Sequence, residues 1–239
     1  EGQGSVVYDA TAYGNNVTLG NSTEDDSHEP SWTSGISGYA LEFDGVDDYV
    51  EIPDDESLNL TDEFSITIWV YDRREDSYSM YVGKIDSPLT NGYYIYTDAR
   101  AGTKNALMFV YYNQGTRYGI ACNFTPSTWL FVVGVVRRYN STHYTQEIWV
   151  NGELKKSCIR DSSAGSNTVP LCIGSYCEDN TNYLNGTIDE VAIYSRALTE
   201  EEIKELYEKQ KAKFMEYKRG VFKKAIEFDG LDDYVEVPT

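Results

Sequence analysis

The sequence predicts an all-β protein, an antiparallel β-sandwich with one helix near its C-terminus. Short runs rich in β-branched and aromatic residues follow one another, and turn residues separate them every 8 to 15 positions. Every second residue of the segment 64–70 is apolar, as expected of a strand with one buried face. A chain of 239 residues suits one large sandwich, which buries its core without metals or cross-links.

The remaining elements follow from the same reasoning. The predicted strands are residues 40–43, 49–53, 64–71, 80–85, 93–97, 106–112, 118–123, 129–138, 146–150, 153–159, 171–175 and 187–194. Residues 129–136 are apolar on both faces, which predicts a central strand covered on both sides. Asn151-Gly152 predicts a tight hairpin, because these residue types accept positive φ angles.

One helix is predicted after residue 198. Thr199 is its N-cap and Glu202 completes a capping box. Charge pairs at i,i+4 spacing support it, namely Glu200 with Lys204 and Glu205 with Lys209. Gly220 is the expected C-terminal end of the helix.

The charge of the chain excludes some partners. A net charge of −19 disfavours nucleic acid and anionic membranes, because phosphate groups repel such a surface. The longest uncharged apolar run, residues 128–136, is too short to insert across a bilayer. The charge is also uneven, since residues 1–72 contain no Lys or Arg whereas residues 211–224 contain six.

Six Asn-X-Ser/Thr sequons point to a secreted or cell-surface glycoprotein. The predicted glycosylation sites are Asn16, Asn21, Asn59, Asn123, Asn140 and Asn185.

The four cysteines have no paired CxxC spacing, so we expect them either to form disulfides or to be buried free thiols. Cys122 and Cys158 end strands on either side of the 129–138 strand, and Cys172 and Cys177 flank a Gly-Ser turn. We therefore predict the pairs Cys122–Cys158 and Cys172–Cys177, the second closing a very small loop.

Four segments, in order, resemble one family. They are ALEFDGVDDYVEIP at 40–53, FSITIWV at 64–70, IWVNGEL at 148–154 and LNGTIDEVAIYSRALTEEEI at 184–203. This pattern is similar to laminin-G-like domains of the concanavalin A-like lectin/glucanase superfamily. The resemblance implies a jelly roll of two curved antiparallel sheets, here residues 1–220 with the closing helix, and often a calcium ion at one rim.

A calcium site is predicted at the Asp-Gly-Val-Asp-Asp turn. Asp44, Asp47 and Asp48 crowd three carboxylates together, and such hard oxygen ligands suit Ca²⁺. The resemblance implies that Asp9 and Asp189 approach the same rim, so the predicted ligands are Asp9, Asp44, Asp47 and Asp189. The alternative is that Asp44 and Asp48 only stabilise the turn by accepting backbone hydrogen bonds.

Catalysis is not predicted. The Glu-X-Asp-X-X-Glu pattern of glucanases is absent, and no Ser/His/Asp, Cys/His or HExxH arrangement can be drawn. Eight tyrosines fall in strands that could form one sheet face: Tyr78, Tyr81, Tyr93, Tyr94, Tyr96, Tyr111, Tyr112 and Tyr118. They either stack on sugars or serve simply as good strand formers.

The C-terminus repeats the first family segment. Residues 225–238 match residues 40–53 at 11 of 14 positions, with conservative changes at the other three. Such a hairpin can add to the sheet of another copy, and head-to-tail addition propagates into a filament. Residues 221–239 are therefore a possible donor strand, with its contacts at Ile226, Phe228, Tyr234 and Val235.

The sequence thus predicts a non-catalytic extracellular subunit that self-assembles or adheres, with copies of itself as partners and calcium as a structural ion. The alternative is a module that binds glycans or glycoproteins, cut from a longer multidomain surface protein or secreted glycosidase.

Overall fold

The protein is an antiparallel β-sandwich of two large sheets with one long helix, as the sequence predicts. The computed structural model describes residues 2–19, 28–74, 78–98, 105–176 and 181–223. Every strand pairing recorded in this part of the chain is antiparallel. Within the same residues, no helix combines the length and apolar character required to cross a bilayer.

The first sheet has seven strands. In sheet order they are β13 (Glu153–Arg160), β12 (Tyr144–Val150), β11 (Trp129–Arg138), β6 (Phe64–Asp72), β15 (Asn185–Tyr194), β4 (Tyr39–Asp44) and β3 (Ser31–Ser34). Neighbours distant in sequence, such as β6 and β11, pair at its centre, which is typical of a jelly roll.

The second sheet has six strands. In sheet order they are β10 (Thr116–Asn123), β9 (Ala106–Asn113), β8 (Gly92–Asp98), β7 (Ser79–Ile85), β14 (Leu171–Ile173) and β5 (Val50–Ile52). Two short strands, β1 (Val6–Val7) and β2 (Val17–Thr18), form a separate ribbon. Strands β1 to β3 were not predicted, because they are short and their sequences are partly polar.

The main core lies between the two sheets. Phe43, Phe64, Phe109 and Val132 from both sheets are fully buried in one cluster. The alternation predicted for residues 64–70 is confirmed, because Phe64 and its apolar i+2 neighbours belong to this cluster. The hairpin at Asn151-Gly152 is also confirmed, with φ angles of 54° and 77°.

The helix α1 (Glu200–Lys223) covers the outer face of the seven-stranded sheet. Ile203 is fully buried, and the Tyr207 ring stacks on Trp69 at 5.7 Å and on Phe131 at 6.1 Å between centroids. Strand β11 therefore has the core on one face and the helix on the other, as its doubly apolar sequence predicts.

The predicted start of the helix is confirmed and its predicted end is wrong. Thr199 N–H donates to Glu202 Oε2 at 2.8 Å, and Glu202 N–H donates to Thr199 Oγ1 at 3.2 Å. The helix continues through Gly220 to Lys223. A helical glycine costs only about 1 kcal/mol relative to alanine, which good helix formers on either side can offset.

The segment from β4 to β5 crosses from one sheet to the other. Strand β4 lies between β15 and β3, whereas β5 pairs with β14 at the edge of the six-stranded sheet. Phe43 and Val50 anchor its two halves in the core. The turn between them therefore lies at one end of the sandwich, where both sheets meet solvent.

Candidate functional site

The turn between β4 and β5 brings three carboxylates together. Oxygen atoms of Asp44, Asp47 and Asp48 all lie within 4.8 Å of one another. Asp44 Oδ1 accepts hydrogen bonds from Val46 N–H at 2.7 Å and Asp47 N–H at 3.3 Å. Asp48 Oδ2 accepts one from Asp44 N–H at 2.7 Å. The alternative interpretation of the sequence expected such bonds, in which Asp44 and Asp48 stabilise the turn by accepting backbone hydrogen bonds. The turn that they stabilise is the one that brings the three carboxylates together.

The cluster is electrostatically strained. Asp48 is only 6% exposed, and burial raises its pKa to about 6, although the hydrogen bond from Asp44 acts in the opposite direction. The negative charges of Asp44 and Asp47 raise it further. Two nitrogen-bearing side chains lie nearby: the Arg74 guanidinium donates to Gly45 O at 2.6 Å, and His28 Nε2 lies 4.0 Å from Asp47 Oδ2.

The other two predicted calcium ligands lie elsewhere. Asp189 Oδ2 accepts hydrogen bonds from Ile36 N–H at 2.7 Å and Ser37 N–H at 3.1 Å, so it fixes the β3–β4 turn. Asp189 is four residues along β15 from Asn185, the partner of Asp44, which separates the two acids by roughly 13 Å. The prediction that Asp189 joins Asp44 and Asp47 is therefore wrong, because its position along β15 brings its carboxylate to the β3–β4 turn.

Asp9 also lies outside the cluster. Its carboxylate accepts hydrogen bonds from the N–H groups of Thr11 and Asn15, and these hold its own loop. Burial is the largest single influence on the pKa of Asp9 and raises it, but the local hydrogen bonds together outweigh burial and lower the pKa below its ordinary value. Asp48, which was not in the predicted ligand set, takes the third position in the cluster.

The remaining three acids fit a hard cation. Hydrogen bonds within the turn engage one oxygen of Asp44 and one of Asp48. Burial and, to a lesser extent, repulsion by Asp44 and Asp47 raise the pKa of Asp48, and a divalent ion would offset both effects. Ca²⁺ takes carboxylates in flexible arrangements.

A polar cavity of about 410 Å³ adjoins this turn. Four acids contribute to its wall, together with a single arginine, two neutral polar residues and one aromatic ring. They are Glu29, Glu42, Asp44, Asp48, Arg73, Ser31, Asn185 and Phe43. Apart from the ring, these side chains offer hydrogen-bonding groups, and the excess of acids makes the cavity negative.

The eight predicted tyrosines do not form an open binding face. Tyr81, Tyr93 and Tyr111 point into the core and are 2% exposed or less. Tyr94 and Tyr96 lie on the outer face of the six-stranded sheet, but they stack at 4.9 Å and are 5% and 3% exposed. Stacking between the rings leaves little aromatic surface for a sugar. These tyrosines therefore fit the other interpretation better, in which tyrosine is present because it favours strand formation.

The predicted pair Cys122–Cys158 is not formed. Both residues are free, half-buried thiols, on the edge strands of two different sheets, and burial raises the pKa of Cys122 to about 11. Sequence position alone could not show that the two strands belong to different sheets. Cys172 is disulfide-bonded, and its predicted partner, Cys177, lies outside the described residues.

The sequons differ in accessibility. Asn16, Asn123 and Asn140 are exposed, whereas Asn59 and Asn185 are half-buried. Asn185 lies on β15 beside the cavity, and Asn21 is outside the described residues.

Comparisons with known proteins agree with this fold. A family described as the concanavalin A-like lectin/glucanases superfamily, of laminin G type, matches residues 44–204, about two thirds of the chain. No curated protein matches the chain.

Among solved structures, the binding domain of Paraclostridial Mosquitocidal Protein 1 is similar, with a TM-score of 0.64 and 18% identity over 85% of this chain and 51% of that one. The botulinum neurotoxin serotype D ligand binding domain in complex with N-acetylneuraminic acid is also similar. Its TM-score is 0.63 and its identity is 14%, over 85% of this chain and 48% of that one. The chain thus spans about half the length of these toxin domains.

A third similar structure is close in length to this chain. Domain 4 of AbnA, a GH43 extracellular arabinanase from Geobacillus stearothermophilus, in complex with arabinotriose, has a TM-score of 0.60 and 18% identity. The match covers 80% of this chain and 87% of that domain. At these identities the structures show a shared fold, and together with the family match over residues 44–204 they establish that the chain belongs to the concanavalin A-like lectin/glucanase superfamily.

Proposed function

We propose that this protein is a non-catalytic, extracellular glycan-binding module. The observation that carries the proposal is its likeness, over most of both chains, to an arabinanase domain in complex with arabinotriose. The toxin domain in complex with N-acetylneuraminic acid shares the fold as well. The polar cavity of about 410 Å³ has a size and chemistry suited to part of a sugar chain.

The hydrogen-bond partners of the carboxylates favour a binding function over glycoside hydrolysis. A glycosidase needs two acids that face the sugar, about 5 to 10 Å apart. Asp189 and Glu190 are adjacent in sequence, but Asp189 holds the β3–β4 turn and Glu190 Oε2 accepts from Gln210 Nε2 at 2.8 Å. In the cluster of Asp44, Asp47 and Asp48, the Asp44 and Asp48 carboxylates accept backbone hydrogen bonds within their own turn. Both arrangements are structural.

We also propose that Asp44, Asp47 and Asp48 hold a calcium ion. The support is their mutual distance and the burial of Asp48, which together make three negative charges costly without a counter-ion. The ion would contribute charge neutralisation and rigidity to the turn that borders the cavity.

A second candidate function is assembly between copies. The repeat at residues 225–238 lies outside the described residues, but the place of its first copy is known, and there Phe43 and Val50 are buried. The repeat carries Phe228 and Val235 at the matching positions. The repeat of a neighbouring chain could therefore replace the first copy, pairing with β15 in one sheet and with β14 in the other.

The glycan-binding proposal predicts measurable affinity for oligosaccharides without turnover. Isothermal titration calorimetry against a panel of trisaccharides, with arabinotriose and 3′-sialyllactose included, is expected to find at least one ligand. A reducing-sugar assay on the same sugars is expected to stay flat. The absence of any ligand across a broad glycan array contradicts binding, and release of reducing ends contradicts the non-catalytic assignment.

The calcium proposal predicts that the melting temperature falls when EDTA replaces millimolar calcium. A ligand at a hundredfold excess over its Kd stabilises the fold by about 2.7 kcal/mol. The double variant Asp44→Asn/Asp47→Asn is expected to lose the calcium response. Asp9→Asn is the matched control, because Asp9 lies outside the cluster, and it is expected to keep the response. Superimposable melting curves with and without calcium contradict the site.

The assembly proposal predicts that removal of residues 224–239, which leaves α1 intact, abolishes association while the sandwich remains folded. Light scattering at increasing protein concentration measures the effect, and circular dichroism checks the fold. The full-length variant Phe228→Asp/Val235→Asp is expected to behave like the truncation. A truncated chain that still associates, or a full chain that stays monomeric with calcium present, refutes the idea.

A further inference from the structure

One end of the seven-stranded sheet carries two aromatic side chains that the helix does not bury. Trp129 on β11 and Tyr71 on β6 are register partners, and both are half-buried. The row next to them, Phe131 with Trp69, is buried beneath Tyr207 of α1. The helix thus covers one row of the outer face, and the following row retains exposed aromatic surface.

Strand register extends this row across the sheet. Tyr71 pairs with Thr187, Thr187 with Glu42, and Glu42 with Ser31. Residues paired in this way present their side chains on the same face of a sheet. Five neighbouring strands therefore place two aromatic rings and three polar side chains in one line, which ends at the β3 edge.

A charged pair joins the rings to the polar end of the row. The guanidinium carbon of Arg73 lies 5.7 Å from the centroid of the Tyr71 ring, and its Nη2 is 2.6 Å from Glu42 Oε1. Both charged side chains are 40% exposed. The Tyr71 and Trp129 rings lie 5.9 Å apart and are tilted by 58°.

The row is continuous with the polar cavity. Ser31 and Glu42 belong to both the row and the cavity wall, and Arg73, the ion-pair partner of Glu42, also lines the cavity. A ligand in the cavity would therefore extend past the Arg73–Glu42 pair onto the rings of Tyr71 and Trp129. Apolar ring faces beside a dense set of hydrogen-bonding groups suit a sugar chain, which has apolar faces and a rim of hydroxyls.

We infer that this surface, Trp129–Tyr71–Arg73–Glu42 with the adjoining cavity, is the glycan subsite, and that it selects uncharged oligosaccharides. Selection follows from charge, and it holds with calcium bound. The two charges of the ion offset only two of the three acids Asp44, Asp47 and Asp48. Glu42 already pairs with the one arginine of the cavity wall, Arg73, and Glu29 adds a further negative charge. The chain as a whole carries −19. A sialylated or uronic-acid ligand would meet like charges there, which costs binding free energy. The inference rests on the proposed glycan-binding function and specifies its site and ligand class.

Titration calorimetry on four proteins tests this subsite: the wild type, Trp129→Ala, Trp129→Phe and Tyr139→Ala. The neutral probes are arabinotriose, maltotriose, cellotriose and mannotriose, and the acidic probe is 3′-sialyllactose. Loss of one ring contact is worth up to about tenfold in affinity. Trp129→Ala is therefore expected to bind the best neutral probe about tenfold more weakly, while Trp129→Phe retains most of the affinity.

Tyr139→Ala is the matched control, because Tyr139 is a 60% exposed aromatic residue outside the row, and it is expected to bind like the wild type. Thermal melts of all variants check folding. Unchanged binding by a folded Trp129→Ala, or tighter binding of sialyllactose than of every neutral probe, overturns the subsite while glycan binding stands. No binding of any sugar by the wild type refutes the proposed function itself.

Discussion

The segment from β4 to β5 is the constraint on which the functional end of the molecule depends. It leaves one sheet and enters the other, so Phe43 and Val50 anchor it on both sides of one core. Both ends of the turn between them are therefore fixed in the core, and Asp44 and Asp48 accept backbone hydrogen bonds within the turn. The crowding of three carboxylates and the negative cavity beside them both follow from this crossing.

Among the residues that the structure describes, a helix covers only one of the two outer faces of the sandwich. On the six-stranded sheet, the rings of Tyr94 and Tyr96 stack on each other and pack with Met80, Val110 and Tyr112, so little of their surface is exposed. On the seven-stranded sheet, α1 buries Trp69 and Phe131 and leaves the row of Tyr71 and Trp129 partly open. The partly exposed rings of Tyr71 and Trp129 therefore lie on the row that leads to the cavity, whereas the stacked tyrosines of the six-stranded sheet leave little exposed ring surface.

Local features were predictable from the sequence because local chemistry determines them. The alternation of residues 64–70, the Asn151-Gly152 hairpin and the capping box of Thr199 and Glu202 all depend on near neighbours. The crowding of Asp44, Asp47 and Asp48 also lies within one turn.

Features that depend on strand order were not predictable. The pairing of β15 with β4, and of β6 with β11, joins segments far apart in the sequence. That order decides that Asp189 meets Ile36 and Ser37 rather than the rim, and that Cys122 and Cys158 lie on different sheets. The row of Trp129 and Tyr71 was missed for the same reason, since no local pattern links two residues that meet only through this order.

The central claim, that a neutral sugar chain binds across Trp129, can be tested directly by nuclear magnetic resonance. The four tryptophans give four indole N–H signals, and those of Trp69 and Trp149 serve as internal references. Both reference indoles are largely buried, and they donate to Gln210 Oε1 and Glu147 Oε2. On titration with the neutral trisaccharides, the account predicts a saturable shift of the Trp129 signal while the Trp69 and Trp149 signals stay in place. A stationary Trp129 signal during demonstrable sugar binding would contradict it.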